Sequence, residues 1–297
     1  MTDDVAAAAA RRAAVLGSPV AHSLSPVLHT AAWASLGLEG WTYERREVDA
    51  AGLAGLVDDL DADPAWVGLS LTMPLKQAVL PLLDTADEAV DVTGACNTLV
   101  WGPAPDGARR ARHGANTDVA GIVAALQEVA PGGPGWAPAV AHVLGGGATA
   151  ASTILALRRL GCPTAVVHVR DPARAGAVTA AAQRCGSAVE LRPWPDAGTA
   201  PALAAADVVV STVPGGAADA VAALVPRRVQ GVLLDVAYEP WPSALARAWA
   251  GAGGAVAPGS LMLLHQAVEQ VALMTGRRPE VAPMRVALAA ARPDIPL

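Results

Sequence analysis

The chain has 297 residues, of which 53% are hydrophobic, 16% are charged and 3% are aromatic, and its formal net charge is −6. This balance excludes an intrinsically disordered protein, which would combine low hydrophobicity with high net charge. Because phenylalanine is absent, Ala and Val must fill much of the interior, as in α/β proteins that pack Ala-rich helices on Val-rich strands. The length is typical of about two domains.

The composition also argues against nucleic-acid, membrane and disulfide-rich classes. No basic tract interleaved with aromatic residues occurs, so we expect no nucleic-acid partner. Arg, Asp or Pro interrupts every apolar run within about 20 residues, and no membrane span is expected. Acidic residues precede the N-terminal Ala run and arginines follow it, the reverse of a signal peptide. Three cysteines without CxxC spacing predict neither disulfides nor a metal site, and we expect a cytoplasmic protein.

In the first part of the chain, short apolar runs alternate with helical stretches, which favours a mostly parallel sheet. Strands are predicted at 12–16, 42–48, 66–71 and 97–101, and helices at 26–36, 50–60 and 74–83. Ser25, followed by Pro26, is typical of a helix N-cap. The turn-rich residues 102–114 predict a hairpin connection.

Residues 131–138 are dense in Pro and Gly and are the best linker candidate by composition. A second α/β series follows, and a helix pair comes after Gly259. The predicted elements are strands at 140–144, 166–169, 208–210 and 232–234, and helices at 151–160, 261–275 and 283–291.

A glycine-rich turn joins the strand at 140–144 to the next helix. Gly145, Gly147 and Ala150 fit the pattern GxGxxA, which provides a tight turn, close approach of the backbone to a pyrophosphate, and close helix–strand packing. The helix N-terminus adds unpaired N–H groups and a positive dipole end. The turn therefore predicts dinucleotide binding, and the alternative is a flexible turn in an Ala-rich chain.

The residues after the next strand bear on the choice between NADP and NAD. Arg170 and Arg174 together could clamp a 2′-phosphate, as in NADP. Asp171 argues for NAD, because an acidic residue there would bind the ribose hydroxyl. We favour NADP, and the alternative for Arg174 is a solvated helix face.

Three groups of polar residues follow predicted strands in this otherwise apolar chain, so they are expected to converge at one edge of a sheet. Hydroxyls, amides, one lysine and one aspartate suit a small polyhydroxylated acid. Alternative interpretations are helix capping for Ser25, turn chemistry for Asn116 and a surface helix position for Lys76. The groups are Ser23 with Ser25, Ser70 with Thr72 and Lys76, and Asn97 with Asn116, Thr117 and Asp118.

With these motifs, the sequence resembles the shikimate dehydrogenases, which reduce 3-dehydroshikimate to shikimate in aromatic amino-acid biosynthesis. The matching stretches run in family order from Leu16 to Ala267 and therefore cover nearly the whole chain. They are LGSPVAHSLSP, LSLTMPLK, GACNTLV, GANTD, VLGGGATA, VSTVP, LLDVAYEPWP and GSLMLLHQA.

The resemblance implies a role for each matching residue. Lys76 and Asp118 match the catalytic pair. The implied substrate-binding residues are Ser23 and Ser25 for the carboxylate, Ser70, Thr72 and Asn97 for the carboxylate and hydroxyls, and Tyr238 and Gln266. The implied NADP(H)-binding residues are Gly145, Gly146, Gly147, Ala148 and Ala150 at the pyrophosphate, Arg170 and Arg174 at the 2′-phosphate, and Thr212, Val213, Gly259 and Met262 at the nicotinamide.

The resemblance also implies a two-domain α/β protein that acts as a monomer or homodimer. Residues 1–118, completed by helices within 260–297, would form the substrate-binding domain, and residues 119–259 would form a Rossmann-type dinucleotide-binding domain. The chain departs from the family in two motifs. Ser70 stands where the family commonly has Asn, and Val169-Arg170-Asp171 stands where the family's NADP signature is commonly Asn-Arg-Thr.

Three alternative functions remain at this point. Asp171 supports an NAD-dependent quinate/shikimate dehydrogenase. A non-catalytic Rossmann protein that binds a metabolite would not need both Lys76 and Asp118. A methylene-tetrahydrofolate dehydrogenase would have no reason for the paired serines Ser23 and Ser25.

Overall fold

The computed structural model describes residues 10–103, 109–196 and 198–297, apart from the side chain of Arg174. The chain divides into two compact units. Unit 1 takes the chain up to Ala86 and then Cys96–Ala115 and Ala267–Ala291. Unit 2 comprises Asp87–Ala95, Asn116–Gln266 and Arg292–Leu297.

Strands and helices alternate along both units, as the sequence predicts. The strands are β1 (Arg11–Gly17), β2 (Trp41–Glu47), β3 (Trp66–Leu71), β4 (Thr85–Ala86), β5 (Thr98–Trp101), β6 (Arg112–Ala115), β7 (Ala141–Leu144), β8 (Thr164–Val169), β9 (Ala188–Pro193), β10 (Val208–Ser211), β11 (Val232–Asp235) and β12 (Ala255–Pro258). The helices are α1 (Ser25–Ser35), α2 (Leu53–Asp61), α3 (Leu75–Ala78), α4 (Glu88–Thr93), α5 (Asp118–Val129), α6 (Ala148–Arg159), α7 (Gly176–Cys185), α8 (Thr199–Ala205), α9 (Asp219–Ala222), α10 (Ala244–Gly251), α11 (Gly259–Thr275) and α12 (Val281–Ala291).

The sheet of unit 1 has the strand order β2-β1-β3-β5-β6-β4. β1 pairs in parallel with both β2 and β3, whereas β5 pairs antiparallel with β3 and β6. The antiparallel β5–β6 pair agrees with the hairpin predicted at residues 102–114, of which residues 104–108 lie outside the described residues. The apolar centre of β1 is buried between its two neighbouring strands, which explains why an apolar run in the sequence predicts this strand.

The sheet of unit 2 has the order β12-β11-β10-β7-β8-β9, and all its pairs are parallel. Numbered from its first strand, this is the order 3-2-1-4-5-6 of a doubly wound dinucleotide-binding domain. Every residue of β7, β10 and β11 is buried, as expected for parallel strands that helices cover on both faces. The predicted α/β class with a Rossmann-type domain is confirmed.

Several predicted elements differ from the structure. Residues 131–138, the linker candidate, lie inside unit 2 between α5 and β7. The helix predicted at 74–83 is shorter, because α3 ends at Ala78 and a 3₁₀ turn follows at Leu80–Leu82. Unit 1 resumes at Ala267, inside α11, rather than at residue 260. Across the described ranges, no helix is long and apolar enough to cross a membrane.

Candidate functional site

In unit 1, backbone hydrogen bonds hold the loops after β1 and β3 at one edge of the sheet. The Ser18 N–H donates to the Met73 carbonyl (3.0 Å), and the Thr72 N–H donates to the Leu16 carbonyl (2.9 Å). The Leu71 N–H donates to the carbonyl just before β5 (2.7 Å). This edge therefore collects the predicted residues of unit 1, which are Ser23, Ser25, Ser70, Thr72, Lys76 and Asn97.

Ser23 and Ser25 form a buried hydroxyl pair at the start of α1. The Ser23 Oγ lies 3.2 Å from the Ser25 Oγ and accepts the Ser25 N–H at 3.3 Å. The prediction of Ser25 as an N-cap is wrong, because Ser25 is the first helical residue and Leu24 occupies the cap position. The Ser25 hydroxyl is thus not used for capping, and two adjacent hydroxyls suit the two oxygens of a carboxylate.

Ser70 lies in a network with two residues that the sequence analysis missed, Tyr43 and Gln270. The Tyr43 hydroxyl donates to the Ser70 Oγ (2.6 Å), and Ser70 donates to the Gln270 Oε1 (2.9 Å). One signal for Gln270 existed, since it follows Gln266 by four residues and therefore lies on the same side of a helix. The one sequence signal for Tyr43 was its rarity, because the chain has only two tyrosines.

Asn97 and Lys76 sit beside this network. The Thr98 hydroxyl donates to the Asn97 Oδ1 at 2.8 Å, and both residues are buried. The Cys96 N–H donates to the Lys76 carbonyl at 2.8 Å, which fixes α3 next to the start of β5. Lys76 is half-buried. The edge thus combines amide, hydroxyl and ammonium groups.

The surroundings of Tyr43 keep its hydroxyl protonated. Burial raises the pKa of Tyr43 well above its usual range, against the smaller opposing effect of hydrogen bonds to Ser70 and Ser25. The His29 ring stacks on the Tyr43 ring with 4.0 Å between centroids, and its Nδ1 lies 2.9 Å from the Ser25 carbonyl oxygen. Burial lowers the pKa of His29 to about 4, so its imidazole is neutral at pH 7.

In unit 2, the glycine-rich turn lies where the strand order reverses, between β7 and β10. The Thr212 hydroxyl donates to the Leu144 carbonyl at 2.8 Å. Gly145 has φ = +110°, and a Cβ on it would lie 2.5 Å from the Thr212 Oγ1 and 3.1 Å from the Val213 Cγ1. The structure therefore brings Gly145, Thr212 and Val213 together at the switch point where doubly wound sheets bind their ligands.

The turn fits a pyrophosphate. Among the described residues, no side chain caps the N-terminus of α6, and its first turn contains no acidic residue. Its first N–H groups thus face the turn, as an anion requires. A Cβ on the exposed Gly147 would meet nothing within 4 Å, whereas Ala150 is fully buried. Gly146 and Ala148 complete the predicted segment.

The residues after β8 divide into an exposed arginine and a capping aspartate. The Asp171 Oδ1 accepts the Ala173 N–H (3.0 Å) and caps the 3₁₀ turn Pro172–Arg174. Arg170, directly before it, is exposed. The Arg174 side chain lies outside the described residues. The observed use of Asp171 is therefore local turn chemistry, the role that short polar side chains commonly have.

Asp118 begins α5, and α5 packs closely on the first part of α11. A Cβ on Gly121 would lie 2.7 Å from the Met262 carbonyl oxygen and 3.0 Å from the Gln266 Cβ, so the two helices touch there. Asp118 is buried, and its N–H donates to the Asn116 Oδ1 at 3.2 Å. This contact places three predicted site residues of unit 2 on two adjoining helices.

The remaining predicted residues, Tyr238 and Gly259, follow β11 and β12. Tyr238 is half-buried, and its carbonyl accepts a hydrogen bond from the Arg292 Nη2 (3.2 Å). Gly259 is buried at the first position of α11. Both therefore lie at the carboxyl edge of the unit 2 sheet, the edge that carries the glycine-rich turn.

Two family models match this chain. The shikimate dehydrogenase substrate binding domain matches residues 15–99, and the shikimate 5'-dehydrogenase C-terminal domain matches residues 259–288. These matches contain the hydroxyl-rich edge of unit 1 and the beginning of α11.

Similar proteins extend over nearly the whole chain. The shikimate dehydrogenase (NADP(+)) of Rubrobacter xylanophilus is 37% identical over 280 residues, covering 92% of this chain and 94% of that protein. The crystal structure of Mycobacterium tuberculosis shikimate dehydrogenase has a TM-score of 0.84 and 41% identity, covering 94% and 99%. That of Thermus thermophilus shikimate 5-dehydrogenase in complex with NADP(H) and shikimate has a TM-score of 0.77 and 33% identity, covering 95% and 99%.

Proposed function

Because the chain belongs to the shikimate dehydrogenase family, we propose that it reduces 3-dehydroshikimate to shikimate with NADPH, as a step of aromatic amino-acid biosynthesis. The observation that carries this proposal is its 37% identity to an NADP(+)-dependent shikimate dehydrogenase over 92% of the chain. The hydroxyl-rich edge of unit 1 supports the substrate part of this proposal, and the glycine-rich turn of unit 2 supports the cofactor part.

The substrate is a carboxylic acid with several hydroxyls, and the proposed binding residues match those groups. The buried pair Ser23 and Ser25 would bind the carboxylate. Neutral hydrogen-bonding groups at the same edge would bind the hydroxyls. By the family resemblance, Tyr238 and Gln266 of unit 2 are also assigned to the substrate. The unit 1 residues assigned to this task are Ser70, Thr72 and Asn97.

The same reasoning assigns the cofactor residues. The turn from Gly145 to Ala150 would hold the pyrophosphate, which the uncapped start of α6 supports. Arg170, with Arg174, would bind the 2′-phosphate. The bound dinucleotide supplies the hydride for the reduction. The nicotinamide side is assigned to Thr212, Val213, Gly259 and Met262.

Lys76 and Asp118 are the residues proposed for the catalytic step. Reduction of a carbonyl leaves a developing alkoxide, which needs both a proton and a nearby positive charge. The Lys76 ammonium can provide both and can act as a general base in the reverse direction. Asp118 would accept a hydrogen bond from the neighbouring substrate hydroxyl.

An activity matrix of two substrates and two cofactors tests this function. We expect oxidation of shikimate with NADP⁺ to exceed oxidation of quinate and reactions with NAD⁺. Faster turnover of quinate with NAD⁺ would instead assign the chain to the quinate/shikimate branch that Asp171 first suggested. Failure to oxidise either acid with either cofactor would favour a non-catalytic metabolite-binding protein.

We also propose a cytoplasmic location. We further propose that the protein is a monomer or a homodimer, and light scattering during size-exclusion chromatography would measure its mass in solution. The three cysteines support a reducing compartment, because all are free thiols.

A further inference from the structure

Five buried side chains of unit 1 form one continuous series of hydrogen bonds, which we call the donor relay. It runs from Tyr43 to Ser70 (2.6 Å), to Gln270 (2.9 Å), to Thr98 (2.9 Å) and to Asn97 (2.8 Å). Each of the five side chains is at most 9% exposed. Two of its members, Ser70 and Asn97, are proposed substrate residues. The other three, Tyr43, Gln270 and Thr98, are not among the proposed substrate residues.

One backbone carbonyl determines the direction of the relay bonds from Tyr43 to Thr98. The Gln270 Nε2 lies 3.3 Å from the Asn97 carbonyl oxygen, which can only accept a hydrogen bond. The amide of Gln270 must therefore turn its NH₂ group to Asn97 and Thr98, and its Oε1 to Ser70. Consequently the single proton of Ser70 goes to Gln270, and Tyr43 must be the donor to Ser70.

At the other end, the Thr98 hydroxyl accepts from Gln270 and donates its one proton to the Asn97 Oδ1. The Asn97 amide therefore has its oxygen toward Thr98. Thr98 thus contributes to the orientation of this amide.

We propose that the donor relay sets the hydrogen-bonding pattern offered to the substrate, with Tyr43, Gln270 and Thr98 as positioning residues. The proposal rests on the function proposed above. Ser70 donates its one proton to Gln270 and accepts from Tyr43 with one lone pair, so it offers the substrate only an acceptor. It therefore selects a substrate group that donates, which is a hydroxyl and not a carbonyl or carboxylate oxygen.

The chemistry of Tyr43 suits the first position of the relay. Burial raises the pKa of Tyr43 above its usual range, so the phenol keeps its proton at neutral pH and can act as the donor. The neutral His29 ring stacked on it fixes the phenol plane. An asparagine at position 70, common in the family, would offer both a donor and an acceptor, so the relay makes Ser70 the more selective of the two.

Tyr43→Phe is the direct test, because it removes one hydroxyl and keeps the ring that packs on His29. In this variant the Ser70 proton still goes to Gln270, but one of the two hydrogen bonds that hold the Ser70 Oγ in place is lost. We therefore expect KM for shikimate to rise about fivefold, which is the equivalent of one neutral hydrogen bond. KM for NADP⁺ should stay within about twofold. Ser35→Ala is the control, since it removes a hydroxyl of unit 1 that bonds only to the Ala32 carbonyl among the described residues (2.8 Å).

Deoxy analogues of shikimate separate positioning from a general structural effect. For the analogue that lacks the hydroxyl bound by Ser70, Tyr43→Phe should raise KM less than it does for shikimate. The same ratio of the Tyr43→Phe KM to the native KM for every analogue would overturn the proposal. If the native protein oxidises shikimate, an unchanged KM for shikimate in Tyr43→Phe would overturn it as well. A native protein that does not oxidise shikimate would contradict the proposed function instead.

Substitutions of Thr98, at the other end of the relay, provide a second test. This test can be used even if Tyr43→Phe does not fold. Thr98→Val removes the proton that orients Asn97 and should raise KM for shikimate, whereas Thr98→Ser keeps that proton and should restore it. Equal KM values for the Val and Ser variants would overturn the relay.

Discussion

At the residue scale, the basic side chains divide sharply by type. The chain has 20 arginines, and Lys76 is its only lysine. Arginine cannot give up its proton near neutral pH, whereas an ammonium group can. The one position where we propose proton transfer is therefore the one position where this chain uses lysine.

The single lysine makes the proton-transfer hypothesis testable by chemistry as well as by mutation. Lys76→Ala and Asp118→Asn should each lower kcat by about 100-fold or more, because the first removes the proton donor and the second removes the carboxylate that accepts from the substrate hydroxyl. Acylating the amines of the native protein should cause a similar loss, and bound shikimate should slow it. Cofactor binding, measured by fluorescence titration, should be unchanged in both variants, and near-native turnover in either would remove that residue from the mechanism.

Arg170 should determine cofactor preference. Because it is exposed and Asp171 is committed to the Ala173 N–H, Arg170→Ala should raise KM for NADPH at least about tenfold and leave KM for NADH nearly unchanged. Arg192→Ala is the matched control, since its guanidinium pairs with Glu190 at 2.7 Å. Equal effects on the two cofactors would show that Arg170 does not contact the 2′-phosphate.

At the scale of elements, the site depends on how closely α5 approaches α11. Gly121 allows that approach, since any Cβ there would overlap the Met262 carbonyl. Asp118 lies one helical turn before Gly121, and Gln266 one turn after Met262. The position of the proposed catalytic carboxylate is therefore tied to packing between two helices.

Gly121→Ala should lower the free energy of unfolding by about 2 kcal/mol, because it overpacks this contact. Gly55→Ala in α2 makes the same change where a Cβ meets nothing within 4 Å, and it should raise the stability slightly. Urea denaturation of both variants measures the difference. Similar stability changes in the two variants would mean that α5 and α11 can separate without cost.

At the scale of the whole molecule, both units contain histidines that burial keeps neutral. His29 lies in unit 1 with a pKa of about 4. In unit 2, the His142 Nδ1 lies 2.9 Å from the His168 Nε2, and burial lowers both pKa values, with the second imidazole also lowering that of His142. The unfolded chain binds protons at these positions near pH 6.5, whereas the folded chain does so only in stronger acid.

Stability should therefore fall as pH decreases from about 6.5 to 4 and should level off, for His29 and His142, below that window. His29 alone accounts for about 3 kcal/mol across it. Thermal unfolding of His29→Phe should depend less steeply on pH than that of the native protein. His22→Gln, at an exposed position, should retain the native slope, and a parallel pH dependence of His29→Phe would contradict the assignment.

The local patterns of the sequence account for much of this fold. Apolar runs followed by glycine or polar residues predicted β1, β3, β7, β8, β10 and β11, because buried parallel strands have few polar positions. The sequence analysis missed α4, α5 and α7 to α10, and several of these helices, among them α5 and α7, are rich in alanine. Alanine occurs on both buried and exposed faces, so it weakens the periodicity that distinguishes a helix.

The sequence by itself determined the α/β class, the family and the polar residues at strand ends, because these depend on motifs read within a few neighbouring positions. Only the tertiary structure decided that Ser25 does not cap its helix and that Asp171 caps a turn. It also revealed the donor relay, in which Ser70 and Gln270 are 200 residues apart. Hydrogen-bond partners so distant leave no local periodicity, since strand register and helix packing alone bring them within reach.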